Sequence, residues 1–222
     1  MKTRNEEVKS LSAEELHKAV PADWYHQSIK IDLLQRYWHK RRFDEVSKVI
    51  QKVNGRVLDI GSNDGTFSKV ILDKSHARSL VGLDVIKTTV DWANKHWKYT
   101  GKMKFMVGDA HKLPFVAKTF DAVFALEVLE HVFDPLIVLA EVKRVLRDDG
   151  YAVFLVPSDN LLFRTVWFLW LTFYPRGKIW RETHIQTYRN NYLTRVTKKA
   201  GFKIEADKKF ILGMLHLIKV RK

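Results

Sequence analysis

Two kinds of hydrophobic pattern alternate along the chain from residue 53 onward. Short, nearly continuous apolar runs indicate strands that are buried on both faces, at residues 56–60, 79–84, 103–107, 120–125 and 151–156. Apolar residues spaced three and four apart predict helices between them, at 66–74, 87–99 and 135–147. This alternation predicts a parallel sheet with helices packed on both faces.

The segment after the fifth strand predicts a different ending. A helix at about 190–200 precedes two strands, 202–206 and about 213–221, with only a short turn between them. Two strands joined in this way form an antiparallel pair. The predicted fold class is therefore α/β, with a Rossmann-like, seven-stranded, mostly parallel sheet that ends in a C-terminal antiparallel hairpin.

The chain before residue 53 predicts helices rather than strands. Residues 1–20 are charged and predict a loose lead-in, whereas apolar positions from Trp24 to Val53 follow a helical period. We interpret residues 1–52 as an N-terminal helical cap and residues 53–222 as the main domain, with an insertion at about 158–188.

The sequence Asp59-Ile-Gly-Ser-Asn-Asp-Gly65 directly follows the first strand and precedes the first helix of the domain. A glycine-containing loop between a strand and a helix N-terminus is typical of nucleotide-cofactor sites, although an ordinary βα turn is the alternative. The spacing does not match G-x-G-x-x-G, because Asn63 and Thr66 stand where glycines are required. We predict a tight turn at Gly61, close packing of the helix against the ligand at Gly65 and a positive φ at Asn63.

The spacing D-x-G-x-N-x-G resembles the first motif of class I S-adenosylmethionine (SAM)-dependent methyltransferases of the type 11 group. Acids at the ends of the second and third strands, Asp84 and Asp109, extend the resemblance. It implies that Asp84 binds the ribose hydroxyls, Asp109 the adenine amino group and the Ala110 amide a ring nitrogen. The cofactor-binding residues expected for SAM are Asp59, Gly61, Ser62, Asn63, Gly65, Asp84, Val85, Asp109, Ala110 and Glu127.

The segment Leu126–Pro135, after the fourth strand, is similar to the E-x-L-E-H-x-x-D-P stretch of quinone- and lipid-type members. It lacks the Asn/Asp-Pro-Pro-aromatic sequence of enzymes that methylate exocyclic base nitrogens, which weighs against a nucleobase acceptor. Histidine exchanges protons near neutral pH, so His131 is a candidate catalytic residue, together with Glu127 in the same helical turn. The second histidine candidate is His184, because Glu182–Tyr188 resembles the His-x-x-x-aromatic stretch before the family's last helix. Capping or packing against the cofactor is the alternative, as is a divalent cation on Glu127, Glu130 and His131, but we assign no metal.

Residues 161–175 are almost wholly apolar, and Arg176, Lys178 and Arg181 follow them. A bilayer-spanning helix needs about 20 apolar residues, so this segment is too short to span. It fits a lid over an apolar substrate pocket, a helix in a membrane interface, core packing or an oligomer contact. In the N-terminal helices, Tyr37, His39 and Arg42 are pocket-lining candidates, with a surface or packing role as the alternative.

Charge and cysteine content limit the functional classes. The net charge is +14, and residues 158–222 hold 14 lysines and arginines against 4 acidic residues. This imbalance is typical of a protein with an anionic partner, namely nucleic acid, a membrane surface or an acidic substrate, and a merely soluble basic face is the alternative. The chain has no cysteine, which excludes disulfides, thiolate metal sites and radical SAM clusters. With no signal peptide evident, we expect a cytoplasmic protein, with peripheral membrane contact through residues 161–181 as a further option.

These observations predict a SAM-dependent methyltransferase that acts on a small-molecule or lipid-like acceptor at oxygen or carbon. Two alternatives remain. The basic C-terminal part would suit an RNA-directed methyltransferase, and the same fold would suit a catalytically inactive SAM-binding partner subunit.

Overall fold

The computed structural model describes residues 20–174 and 184–222. The strands are β1 (Arg56–Ile60), β2 (Ser79–Asp84), β3 (Met103–Val107), β4 (Phe120–Leu126), β5 (Leu146–Pro157), β6 (Lys203–Phe210) and β7 (Leu215–Arg221). The α-helices are α1 (Trp24–Ile31), α2 (Leu33–Ser47), α3 (Thr66–Ser75), α4 (Lys87–Trp97), α5 (Pro135–Val145), α6 (Leu161–Phe173) and α7 (Tyr192–Lys199). Short 3₁₀ turns follow α4 and β4, at Lys98–Thr100 and Leu129–His131.

The seven strands form one sheet in the order β3-β2-β1-β4-β5-β7-β6. The first five strands pair in parallel, and β7 pairs antiparallel with both β5 and β6. This arrangement confirms the predicted Rossmann-like fold with its antiparallel hairpin. The order reverses at β1, whose neighbours are β2 and β4, and ligands bind outside the carboxyl ends of strands at such a point.

Successive residues of each strand enter cores on opposite faces of the sheet, because side chains alternate along a strand. Leu58 of β1 is fully buried on one face, in a cluster that includes residues of α5 and α7. Val57 is fully buried on the other face with Val46 of α2 and Ile71 of α3. Burial on both faces explains why these strands have continuous apolar sequences.

The helical pattern from Trp24 to Val53 is divided at Asp32, which the sequence analysis did not identify as a break. Asp32 has extended backbone angles, and its carboxylate accepts hydrogen bonds from the amides of Leu34 (2.8 Å) and Gln35 (3.1 Å). A side chain that caps free amides in this way starts a new helix. The charged lead-in predicted for residues 1–20 lies, except for Val20, outside the described residues.

The boundary between α5 and β5 also differs from the prediction. The helix ends at Val145, and the strand begins at Leu146 rather than at residue 151. A register shift between Phe120 and Ala122 of β4 accommodates these extra residues. Gly150 lies within β5, where a Cβ would lie 2.9 Å from the Asp121 carbonyl oxygen. It permits close approach of two strands.

The apolar segment predicted at 161–175 forms α6. Asn160 caps this helix, since its side-chain oxygen accepts a hydrogen bond from the Phe163 amide at 2.7 Å. Among the helices in the described residues, none combines the length and apolar character needed to cross a bilayer. The basic residues Arg176, Lys178 and Arg181 lie outside the described residues.

Candidate active site

A cavity lies at the carboxyl ends of β1, β2 and β3, where the fold predicts a ligand. We call it the cofactor cavity. Seven of the ten residues predicted to bind the cofactor line it: Gly61, Asn63, Asp84, Val85, Asp109, Ala110 and Glu127. The sheet topology therefore brings together residues that are separated by up to 66 positions in the sequence.

The loop after β1 has the left-handed backbone conformations that its sequence predicts. The φ angles of Gly61, Asn63 and Gly65 are 68°, 45° and 75°. A Cβ on Gly61 would lie 2.3 Å from Cγ2 of Val128, so this position requires glycine. A Cβ on Gly65 would lie 2.5 Å from the Phe105 ring, so glycine here permits protein packing rather than approach to a ligand.

Asp84 forms part of the cavity wall and also holds the loop in place. Its carboxylate accepts hydrogen bonds from the amides of Asn63 (2.8 Å) and Ile86 (2.9 Å). Asp109, at the end of β3, has an exposed carboxylate that accepts from the His111 amide at 2.9 Å. Two carboxylates on the wall, beside a loop with left-handed backbone at Gly61 and Asn63, suit a nucleoside with ribose hydroxyls and an exocyclic amine.

Asp59 has a different environment from the other predicted cofactor residues. It is 2% exposed, and its carboxylate accepts a hydrogen bond from Oγ of Ser68 at 2.5 Å. Burial raises the pKa of Asp59 to about 7, although the hydrogen bond from Ser68 acts to lower it. The side chain therefore joins β1 to α3 rather than lining the cofactor cavity.

Asp59→Asn should remove a pH dependence from the stability of the fold. The folded chain keeps the Asp59 proton up to about pH 7, whereas the unfolded chain loses it near pH 3.8, so this group reduces stability as pH rises between these values. Relative to the parent chain, the free energy of unfolding of the variant should increase by up to about 4 kcal/mol between pH 4 and pH 8. Urea denaturation at both pH values, with Asp73→Asn as the exposed control, measures this gain. The same stability difference between variant and parent at both pH values would contradict a buried, protonated carboxyl at Asp59.

Three other residues of the loop, Ser62, Asp64 and Gly65, also lie outside the cavity lining. Ser62 is buried, and within the described residues its Oγ has no hydrogen-bond partner. Asp64, which the sequence analysis passed over, is fully buried and accepts hydrogen bonds from the amides of His26 (2.8 Å) and Thr66 (3.0 Å). Asp64 thus connects α1 directly to the cofactor loop.

A second cavity of about 360 Å³ adjoins the first. We call it the acceptor cavity. Its walls come from α1, α2 and α6, and they are mostly aromatic and aliphatic: Trp24, Tyr25, Leu34, Tyr37, Trp38, Phe163, Val166, Trp167, Trp170, Tyr174, Ile211 and Met214. The two cavities share Tyr25, Glu127 and His131, which lie where they meet. A volume of several hundred Å³ with apolar walls is typical of a small-molecule site.

Glu127 is held by a residue from the N-terminal helices. Its φ is 57°, a conformation that is strained for a side chain with a Cβ. Its carboxylate forms an ion pair with Arg42, whose side chain is 3% exposed. Burial raises the pKa of Glu127 and the Arg42 charge lowers it. This pair joins Arg42 of α2, which lines the acceptor cavity, to Glu127, which lines both cavities.

Arg42 also determines the tautomer of His39 and lowers its pKa. Nη1 of Arg42 donates to Nδ1 of His39 at 3.0 Å, so Nε2 of the imidazole carries the hydrogen and donates to Ser28 Oγ at 3.2 Å. Burial and the Arg42 charge hold the pKa of His39 well below its ordinary value. Of the three pocket candidates in this region, Tyr37 and Arg42 line the acceptor cavity, and His39 lies behind Arg42.

The structure brings the two candidate histidines together. The rings of His131 and His184 are 5.0 Å apart, edge to face, and both line the acceptor cavity. Glu130 lies with them and is 1% exposed, and within the described residues its Oε2 has no hydrogen-bond partner. Burial, reinforced by the nearby Glu127 charge, raises the pKa of Glu130 well above its ordinary value.

The possible cation ligands differ from the set considered in the sequence analysis. Ligand atoms of Glu130, His131 and His184 lie within 4.8 Å of one another, whereas Glu127 is paired with Arg42. His184 therefore replaces Glu127 in the cluster. One carboxyl and two imidazoles can exchange a proton with a bound molecule, and the same donor atoms can hold a divalent cation.

Comparisons with known proteins agree with the fold and the cavities. Residues 58–154 match the family described as "Methyltransferase domain". The chain is 33% identical over 174 residues to the ubiquinone/menaquinone biosynthesis C-methyltransferase UbiE of Desulfotalea psychrophila, covering 76% of this chain and 69% of that one. It is 33% identical over 135 residues to the demethylmenaquinone methyltransferase of Thermotoga maritima, covering 57% and 56%.

A solved SAM-dependent methyltransferase from Thermotoga maritima superposes with a TM-score of 0.71 at 16% identity, covering 95% of this chain and all of that chain. The fold and the cofactor cavity thus define a class I SAM-dependent methyltransferase, with SAM as its cofactor. The chain belongs to the methyltransferase type 11 family. It spans between 56% and 69% of the length of the first curated relatives that it matches.

Proposed function

We propose that this methyltransferase transfers the methyl group of SAM to an apolar small-molecule acceptor, at oxygen or carbon. One observation carries the proposal: an apolar cavity of about 360 Å³ meets the cofactor cavity at Tyr25, Glu127 and His131. An acceptor in the aromatic cavity would present its reacting atom at this junction. The names of the curated relatives, which include quinone methyltransferases, support the same class of acceptor.

The residues of the chain would divide the work between binding and proton exchange. Asp84 and Asp109 would bind the nucleoside, and the loop from Gly61 to Gly65 would receive the rest of the cofactor. The sulfonium of SAM supplies an activated methyl group, so the protein chiefly has to align the acceptor and exclude water. Aromatic side chains from α6, such as Trp167 and Trp170, would do both.

A proton must leave when the acceptor is a hydroxyl or an acidic carbon. His131 would receive it, because His131 lines both cavities. His184 would assist, since its ring lies 5.0 Å from that of His131. Glu127 would mainly help to position the groups around it rather than accept the proton, because its carboxylate is already paired with Arg42.

Labelled SAM identifies the class of acceptor. The protein is incubated with methyl-labelled SAM and an extract of its source cells, and the label is followed into lipid-soluble small molecules, RNA and protein. Label in the lipid-soluble fraction supports the proposal, and Asp84→Ala should transfer none. Label in RNA would favour the RNA-directed alternative, and SAM binding without transfer to any fraction would favour an inactive partner subunit.

His131→Asn should lower turnover of the labelled acceptor by about a hundredfold, because general-base catalysis typically contributes 10²–10⁴. The affinity for SAM, measured by calorimetry, should change little. His76→Asn is the matched control, since His76 is an exposed residue in a left-handed conformation that asparagine tolerates. Equal turnover in all three proteins would exclude His131 as the base.

A further inference from the structure

The exposed apolar side chains of the molecule are concentrated around the acceptor cavity. In the described residues, 16 large apolar side chains are exposed, and ten of them lie on α6 and at the corner between α1 and α2. We call these ten the apolar rim: Ile31, Leu33, Leu34, Tyr37, Leu161, Leu162, Val166, Phe168, Leu169 and Phe173. Contiguous exposed patches of this kind mark sites of interaction.

The two parts of the apolar rim lie on either side of the cavity. Tyr174, directly after α6, donates a hydrogen bond to the carboxylate of Asp32, between α1 and α2. Leu34, Tyr37 and Val166 belong to the rim and also line the cavity. The apolar surface is therefore continuous from the outside of the molecule into the acceptor cavity.

Helix α6 is apolar on two opposite faces. Phe163, Trp167 and Trp170 line the cavity, whereas Phe168 and Phe173 are 64% and 76% exposed. A helix that is apolar all round is normally buried on all sides. The exposed side chains of α6 are mostly apolar: besides Arg164, its exposed polar residues are Thr165 and Thr172, whose hydroxyls donate to carbonyls of the same helix.

Charge indicates what covers this face. The exposed cations Lys30, Arg36 and Arg164 lie on the same elements as the rim. A symmetric dimer through this surface would bring like charges together, because each side of a two-fold interface is the same surface. Anionic lipid headgroups would instead pair with these cations while the apolar side chains enter the membrane interface.

We propose that the apolar rim docks the protein onto an anionic membrane surface, with the mouth of the acceptor cavity facing the lipid. Trp170 and Tyr174, at the mouth, have the amphipathic rings that are enriched at this depth of a bilayer. An apolar acceptor dissolved in the membrane would then enter the cavity without crossing water. This last step rests on the proposed function, whereas the docking itself does not.

Vesicle sedimentation with the full chain tests the docking. The protein should sediment with vesicles of phosphatidylcholine mixed with phosphatidylglycerol, and less with phosphatidylcholine alone. The variant Leu33→Glu/Phe168→Glu should lower the bound-to-free ratio by about tenfold or more, because it removes apolar contact and adds charges that anionic lipid repels. Neither residue lines a cavity, so the variant should bind SAM normally.

The matched control is Val116→Glu/Tyr99→Glu, which changes two residues that are 78% and 71% exposed but lie outside the rim. Its vesicle binding should equal that of the parent chain. Equal binding by both double variants would overturn the proposal, as would a parent dimer that the rim variant dissociates and that binds no vesicles. Because sedimentation requires no methyl transfer, failure of docking remains distinguishable from failure of the proposed reaction.

Discussion

Asp84→Ala should lower the affinity for SAM by at least about a hundredfold. The proposed bonds from two ribose hydroxyls to this carboxylate would each contribute about 1.5–3 kcal/mol, as hydrogen bonds to charged groups do. The variant also loses the acceptor for the Asn63 and Ile86 amides, which hold the loop around the cofactor cavity. Calorimetric titration with SAM measures the loss.

The control for this variant is Asp73→Ala. Asp73 is exposed on α3 and pairs only with Lys69 in the described contacts, four residues earlier, so its removal should leave SAM affinity unchanged. Thermal unfolding of both variants separates a binding defect from a folding defect. Normal SAM affinity in folded Asp84→Ala would refute the assignment of the ribose site.

Arg42→Met should destabilise the fold by about 3–5 kcal/mol, because it leaves the buried carboxylate of Glu127 without its counter-charge. Adding Glu127→Gln should recover most of this loss, since no unpaired charge then remains buried. Urea denaturation of the two single variants and the double variant gives the coupling energy. On the same helix, Lys40→Met removes an exposed pair with Asp44 and should cost less than about 1 kcal/mol.

The loss in Arg42→Met should also depend on pH. Burial raises the pKa of Glu127, and Arg42 is the charge that opposes this rise. Without Arg42 the folded chain would hold a proton on Glu127 where the unfolded chain does not, so stability should fall as pH rises above the ordinary carboxyl pKa. The destabilisation should therefore be smaller at pH 5 than at pH 8. A loss that is independent of pH would contradict this account of the pair.

The sheet and the cofactor loop could be predicted because their physical signals are local. A strand that is buried on both faces must be mainly apolar, as β4 from Ala122 onward and β5 from Tyr151 onward are. A left-handed turn favours glycine or asparagine, and Gly61 and Asn63 follow this preference. Parallel order then places the ends of β1, β2 and β3 together without further information.

The acceptor cavity depends on contacts that no local pattern encodes. Arg42 was a pocket candidate, but its pairing with Glu127 spans 85 positions and follows from how α2 packs on the sheet. Asp64 was missed because its local sequence suggests only a helix start, whereas its carboxylate also binds the backbone of His26. The break at Asp32 does have a local signal, because an aspartate directly before two leucines is typical of a helix N-cap.

The position of β7 bears on how quickly the molecule folds. It is the last of the seven strands to be synthesised, yet it lies between β5 and β6. Phe154 of β5 therefore pairs with Ile218 of β7 only after α6, α7 and β6 have been synthesised. Non-local pairing of this kind raises contact order and slows folding. Until β7 pairs with β5, the backbone groups along one side of β5 are unpaired. During this interval the exposed edge can pair with another chain, so the incomplete sheet is open to edge-to-edge aggregation.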